Sequence, residues 1–397
     1  MLVLGDGKRA DGVLFSVLSS RFTYAINWYT TASPALSLIA LHYGISSAYS
    51  GLTVSMFFLS VGIFQLPAGA LSSRFGPKRI ALDGLLLLSL SSIVTPFAPS
   101  FGIFLLFRFL AGMGAALFFS PALGILSSFF ARDRRTGVFG LYNGAFSLGA
   151  GITLLLWPAI TSSFSWQDGI LLGGVLSLAT YVYSYFTIDM DRAIENPPTG
   201  ITTREISAVL RNRRVWIIAL GLVGIWGVYD ALPQYMNSYA TQYLGLSPHS
   251  ILPSVLASLI LFMGLVGGII SPIMQRNISN ARTLLVVIVV LFTLALPLFM
   301  IHSPLSAFAG SAALAILFTA GVTLTYALPA HMSGVDVKNI PLAVSLVNSI
   351  QVLGGFWVAT LFGFVQFHFG FYWAFPAMMA VSAVFLPFYI FIPPVVK

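Results

Sequence analysis

Apolar residues run along this chain in stretches far longer than a soluble helix needs, separated by short breaks rich in charge, glycine and proline. A hydrocarbon core about 30 Å thick takes roughly 20 helical residues to cross. Reading apolar runs between breaks predicts spans at 13–41, 47–71, 80–97, 101–130, 137–160 and 167–187. A second series follows at 214–239, 250–275, 282–300, 304–331, 340–366 and 371–393. Runs such as 284–298 lack the alternating polar positions of a membrane β-barrel, so the pattern is helical. The expected fold is an all-α membrane protein of twelve transmembrane helices in two six-helix bundles. The bundles are residues 1–188 and 214–397, joined through a polar segment, 189–213, that carries Pro197, Pro198 and Gly200 and reads as a cytoplasmic linker. The first span is too long for a signal-peptide core and lacks a small-residue cleavage pattern.

Composition agrees. Of 397 residues 58% are hydrophobic and 8% charged, and the mean hydropathy is +0.93, so lipid is the solvent for most of the chain. Cysteine is absent, which removes disulfides and thiolate chemistry. A net charge of +8 would point to nucleic acid in a soluble protein. Here the basic residues crowd short loops, where membrane orientation explains them and no nucleic-acid partner is implied.

Every second loop is basic: Lys8 and Arg9; Arg74, Lys78 and Arg79; Arg132, Arg134 and Arg135; Arg192 to Arg214; Arg276 and Arg282; Lys338; Lys397. Seventeen of the 19 basic residues therefore share one face, which the positive-inside rule makes cytoplasmic together with both termini. A faint repeat supports two halves in parallel topology: Gly44-Ile45-Ser46 returns as Gly245-Leu246-Ser247, and Arg74 as Arg276.

The loop after the second span reads Gly69-Ala-Leu-Ser-Ser73-Arg74-Phe-Gly76-Pro-Lys78-Arg79, and the fourth span contains Arg108-Phe-Leu-Ala-Gly112-Met-Gly114. Together these resemble the G-x-L-x-D-R-x-G-r-k loop and the R-x-x-x-G-x-G segment of the major facilitator superfamily, with Ser73 at the acidic position. The resemblance covers nearly the whole chain. It implies a secondary transporter working by alternating access, with Gly69, Arg74, Gly76, Lys78 and Arg79 as a conformational latch and helices 1, 4, 7 and 10 around a central site. Gly69 is expected to permit close helix packing and Gly76 a tight turn.

Charge inside a span is costly, about 3 kcal/mol on the lenient insertion scale, and marks candidate sites. Arg108 lies roughly 10 Å inside its helix and Asp230 roughly 14 Å inside the seventh, at similar depth on the two halves. Asp230 is expected to bind substrate or a proton, and Arg108 to attract an anionic group or to pair with Asp230. The competing reading for Arg108 is a buried guanidinium bonded to backbone carbonyls, and for the two together a static ion pair. Arg21 in the first span is expected to snorkel to the inner headgroups. Tyr24, Asn27, Tyr229, Gln234, Tyr326, Asn348 and Gln351 are the polar mid-span positions that could hydrogen-bond a small solute, and each also fits ordinary interhelical contact.

The five histidines are dispersed, so no metal site is expected, and no nucleophile elbow or phosphate-cradling loop appears. No enzyme, ATP-driven pump or cofactor is implied. The resulting expectation is a monomeric transporter in the cell membrane for a small organic solute, weakly favouring a proton-coupled carboxylate symporter. An exporter of amphipathic compounds is the rival, since aromatics are abundant (34 Phe, 15 Tyr, 7 Trp), although the fifth span lacks the G-P-x-x-G-G ending of drug/proton antiporters. A non-transporting membrane sensor is the rival from another class.

Overall fold

A computed structural model describes residues 4–190, 203–275, 280–332 and 340–392, and these are helical throughout apart from turns. The first series comprises α1 (Leu4–Tyr29), α2 (Leu52–Phe75), α3 (Pro77–Val94), α4 (Phe101–Phe129), α5 (Arg132–Ser163) and α6 (Trp166–Thr187). The second comprises α7 (Arg213–Ser238), α8 (Leu252–Gln275), α9 (Ala281–Ala295), α10 (Pro304–Ala327), α11 (Ile340–Gly355, resumed as Val358–Phe369) and α12 (Phe371–Ile390). Ten described helical stretches are long and apolar enough to cross a membrane, and Leu252–Gly267 of α8 is a shorter apolar one. Large side chains such as Leu106, Leu141, Leu156, Leu294 and Val384 stand exposed on the outside, as lipid-facing positions do. Within the expected linker a short helix, Thr203–Leu210, precedes α7. Residues 191–202, the loops 276–279 and 333–339 and the tail 393–397, with Arg192, Arg276, Lys338 and Lys397, lie outside the described residues.

Helix ends follow their local chemistry. Ser165 and Asp168 form a reciprocal capping box at the start of α6, with Asp168 N–H donating to Ser165 Oγ at 3.1 Å and Ser165 N–H to Asp168 Oδ2 at 3.0 Å. Gly76, at φ +89°, makes the turn between α2 and α3 where a side chain would be strained. Gly44 and Gly245 both adopt positive φ, 63° and 69°. The repeat read from sequence is thus a repeat of backbone conformation.

The first span departs from expectation. Rather than one helix over 13–41, α1 stops at Tyr29 and a separate helix, Ala35–His42, resumes after the break. Pro34 has no N–H to give and disfavours helical geometry at Ser33, so the ladder cannot continue through it.

Small residues set the close contacts. A methyl group on Gly112 would sit 2.3 Å from the Phe57 carbonyl oxygen of α2, and one on Gly114 would sit 2.4 Å from Leu88 N of α3. The glycines of α4 therefore let it lie between two backbones at once. Gly69 differs from its expected role, because nothing lies within 4 Å of the position its Cβ would take.

The two series meet through hydroxyls and backbone. Ser33 N–H donates to the Gln234 carbonyl at 2.7 Å, and the Ser33 and Ser238 hydroxyls bond to each other. Ser55 Oγ donates to the Phe356 carbonyl at 2.5 Å and lies 2.8 Å from Thr360 Oγ1. Ser349 Oγ donates to the Gly62 carbonyl at 2.5 Å. These contacts tie α1 to α7 and α2 to α11, while Gly151 of α5 abuts the Phe262 ring of α8.

Gly112→Ala is expected to lower the thermal stability of the detergent-solubilised protein by about 1–3 kcal/mol, because the backbone of α2 cannot step aside. Gly69→Ala should be neutral or slightly stabilising, by up to about 1 kcal/mol, since it adds helix propensity in open space. Equal melting curves for the two variants would contradict this packing.

Candidate functional site

The break in α1 is the origin of the site. Ending the helix at Tyr29 leaves last-turn carbonyls without intrahelical donors, in a region where water cannot replace them. Arg108 of α4 supplies one answer: Nη1 donates to the Asn27 carbonyl at 3.0 Å, and Nε to the Thr53 carbonyl of α2 at 3.2 Å. Its guanidinium also lies 4.6 Å from the centre of the Phe57 ring. Trp157 Nε1 of α5 donates to the Ala32 carbonyl at 3.1 Å, within the break. A cation at a helix C-terminus is electrostatically favoured, so Arg108 acts as a cap. It does not pair with Asp230, contrary to one sequence expectation, and it is 99% buried, with two of its nitrogens committed to backbone.

Asp230 on α7 is 4% exposed, and no described cation reaches it. Its carboxylate is held by α1: Trp28 Nε1 donates to Oδ2 at 3.1 Å and Tyr29 Oη to Oδ1 at 3.2 Å. These partners stand 202 and 201 residues before Asp230, so the repeat brings equivalent turns of α1 and α7 against each other. Buried bonds to an ionised carboxylate contribute about 1.5–3 kcal/mol each.

Arg21 does not snorkel. It is 6% exposed, and its Cζ lies 4.3 Å from the ring centre of Tyr24, 4.4 Å from Phe146, 4.7 Å from Phe119 and 4.9 Å from Tyr142. Positions 21, 24 and 28 share one helical face. Tyr24 stacks on Trp28 at 5.5 Å, and Trp28 packs against Phe58 at 4.8 Å and edge-on against Phe146 at 5.7 Å. Phe58 in turn meets Trp226 of α7 at 5.5 Å. The centre is therefore an aromatic box spanning both series, with one guanidinium and one carboxylate in its walls.

The remaining expected residues divide. Asn27 points away from this box: its amide nitrogen donates to the Thr23 and Gly173 carbonyls and to Ser177 Oγ at 2.8–3.0 Å, joining α1 to α6. Tyr229 donates to the Ile260 carbonyl at 3.1 Å and stacks on Phe318 at 3.7 Å, bracing α7 against α8 and α10. Gln234 is fully buried beside the break, and neither of its amide atoms has a hydrogen-bond partner. Tyr326, Asn348 and Gln351 do come together. Tyr326 Oη donates to Asn348 Oδ1 at 2.8 Å, while Gln351 Nε2 donates to Tyr326 Oη at 2.6 Å and to Asn348 Oδ1 at 2.7 Å. This polar triad belongs to α10 and α11 of the second series.

In the loop after α2, Arg74 and Arg79 lie over the Phe75 ring at 5.2 and 5.7 Å, and Lys78 lies 5.8 Å from Tyr185 of α6. Arg79 also approaches Asp83 at 3.9 Å. Ser73 Oγ, at the position where the resembled motif has a carboxylate, donates to the Ala70 carbonyl of its own helix at 2.8 Å. Among the described residues, none of these recorded partners belongs to the second series. No three His, Asp or Glu side chains come together there either.

The family model for the major facilitator superfamily matches residues 17–358. The chain belongs to this superfamily. It is a multi-pass integral membrane protein. A bacterial homologue of the human lysosomal transporter Spinster, crystallised inward-facing and unoccupied, superposes with a TM-score of 0.76 at 15% identity over 96% of each chain. Its likeness concerns the fold. The probable nitrate/nitrite antiporter NarK1 of Thermus thermophilus is 25% identical over 83% of this chain and 79% of its own. The probable anion transporter 6, chloroplastic, of Arabidopsis thaliana is 29% identical over 54% of this chain and 45% of its own, so the match spans about half of that relative.

Arg108→Lys is expected to fold but to lose roughly 1–3 kcal/mol, because one ammonium cannot serve the carbonyls of α1 and α2 with the geometry of a guanidinium. Thermal denaturation in detergent measures this, and unchanged stability would remove the capping role.

Proposed function

We propose that this superfamily member carries a small organic anion together with a proton by alternating access. The observation that carries the reading is Asp230, a buried carboxylate that links α7 to α1 through Trp28 and Tyr29. The two rocking bodies are residues 1–188 and 214–397, connected by 189–213, with both termini in the cytoplasm, as the alternation of basic loops supports. The transporter works as a monomer in the cell membrane. Protonating Asp230 converts two charge-assisted bonds into weaker neutral ones, a loss of about 1–2 kcal/mol each, and so loosens α1 from α7 at the moment a proton binds. The anion preference draws on the uncompensated guanidinium of Arg21 and on the names of the Thermus and Arabidopsis relatives. Tyr24, Tyr326, Asn348 and Gln351 are the side chains proposed to meet the solute, while Arg108, Asn27 and Tyr229 support the scaffold.

The aromatic box favours one second reading, transport of amphipathic compounds, in which Trp28, Phe58, Phe146 and Trp226 would stack on an apolar substrate.

Proteoliposome uptake of a panel of carboxylates and neutral analogues, with and without an inward proton gradient, discriminates these. Wild type should accumulate carboxylates only with the gradient imposed. Asp230→Asn should lose that accumulation yet retain exchange of internal for external solute. Gradient-driven accumulation surviving in Asp230→Asn would refute proton coupling through this residue, and carriage of neutral amphipaths alone would favour the second reading.

A further inference from the structure

Arg21 is the buried guanidinium with the most open donors among the described residues. Nine-tenths or more of its surface is buried, and its Nε and Nη1 have no hydrogen-bond acceptor. No described carboxylate pairs with it, and Asp230 is engaged by Trp28 and Tyr29. Arg108, by contrast, gives Nε and Nη1 to two carbonyls and leaves only Nη2 without a partner among the described residues. The four rings around Arg21 lend it π-density, but the faces of a ring are not hydrogen-bond acceptors of ordinary strength, and a buried donor left without one is costly. Phe119, Phe146 and Tyr326 keep part of their surface exposed, so the guanidinium lies one side chain away from accessible space.

We propose that Arg21 binds the charged group of a singly charged organic anion whose planar or apolar body lies against Tyr24, Phe119 and Phe146. This rests on the anion reading above and narrows it to a class. One guanidinium with two open nitrogens matches one negative charge. A second carboxylate on the ligand would have to rest on the negative faces of the rings or beside Asp230, and neither offers a donor. The rings provide the stacking surface that favours an aromatic or apolar body over a small inorganic anion.

The test uses the purified full-length protein in detergent and needs no gradient. Benzoate, phthalate, benzyl alcohol and nitrate are titrated by intrinsic tryptophan fluorescence and, independently, by ligand-induced thermal stabilisation. Wild type should bind benzoate at least about tenfold more tightly than benzyl alcohol, phthalate or nitrate, since only benzoate satisfies both guanidinium and rings. Arg21→Gln should lose that preference, while Arg21→Lys should keep the charge selectivity at reduced affinity. Phthalate or nitrate binding as well as benzoate, or no anion binding at all, would overturn the proposal. So would benzoate binding to Arg21→Gln within about twofold of wild type. Should Arg21→Gln fail to run as a single species on size exclusion, the ligand panel on wild type and Arg21→Lys decides. Benzoate selectivity with no proton-driven uptake would strike the coupling reading alone, and intact coupling with no benzoate selectivity would strike this one.

Discussion

In a core without water, every charge must be answered by the protein, and this chain answers three charges in three ways. Arg108 is spent on backbone carbonyls, Asp230 on the Trp28 and Tyr29 donors, and Arg21 on aromatic faces. These solutions differ in how firmly they hold. Two directed bonds to backbone fix Arg108, whose partners belong to helices of its own series. Asp230 reaches across to the other series through side chains, so its bonds can be exchanged when the helices move. Arg21 has no directed bond from the described residues to either of two nitrogens.

The Arg108 arrangement depends on the interruption of α1. Had the helix run on through residue 34, the Asn27 carbonyl would have been taken by a backbone N–H, and Arg108 would have had no cap to make. The same break sets Ser33 against Gln234 and Ser238. A single proline thus converts a plain transmembrane segment into the element that joins the series, and the buried, unpartnered amide of Gln234 lies beside it.

Much of this was legible in sequence and some could not be. Spans were legible because hydropathy and loop charge are local quantities with a fixed length scale. The repeat was legible at Gly44 and Gly245 because positive φ selects glycine at both. Asp230 stood out because a lone carboxylate at mid-depth is costly. Its partners did not, since an indole or phenol in an apolar run reads equally as packing. Trp28 was missed for that reason, although its i+4 and i+7 spacing from Tyr24 and Arg21 was available. Arg21 was misjudged because a long side chain near a helix end ordinarily reaches water, and the Phe119, Tyr142 and Phe146 rings that enclose it lie on other helices, nearly a hundred or more residues away. Asn27 looked suited to a solute for the converse reason: which face of α1 abuts α6 is a tertiary fact.

Charge balance in this core carries a consequence for coupling. Arg108 carries the same charge in every state and drops out of the comparison; besides it, the empty site holds one positive group, Arg21, and one negative group, Asp230. On the proposed reading the loaded site holds Arg21 with its anion and Asp230 with its proton, so the same net charge is restored. An anion without a proton leaves an extra negative charge at the centre, and a proton without an anion leaves an extra positive one. Each half-loaded form then carries a burden of about 2.5–3.5 kcal/mol when the junction closes around it, enough to disfavour its reorientation roughly a hundredfold or more. Empty and doubly loaded forms escape that burden and reorient freely. Coupling of proton to anion therefore needs no mechanical linkage between Asp230 and the substrate; it follows from placing one unanswered cation and one exchangeable carboxylate in the same dry aromatic box.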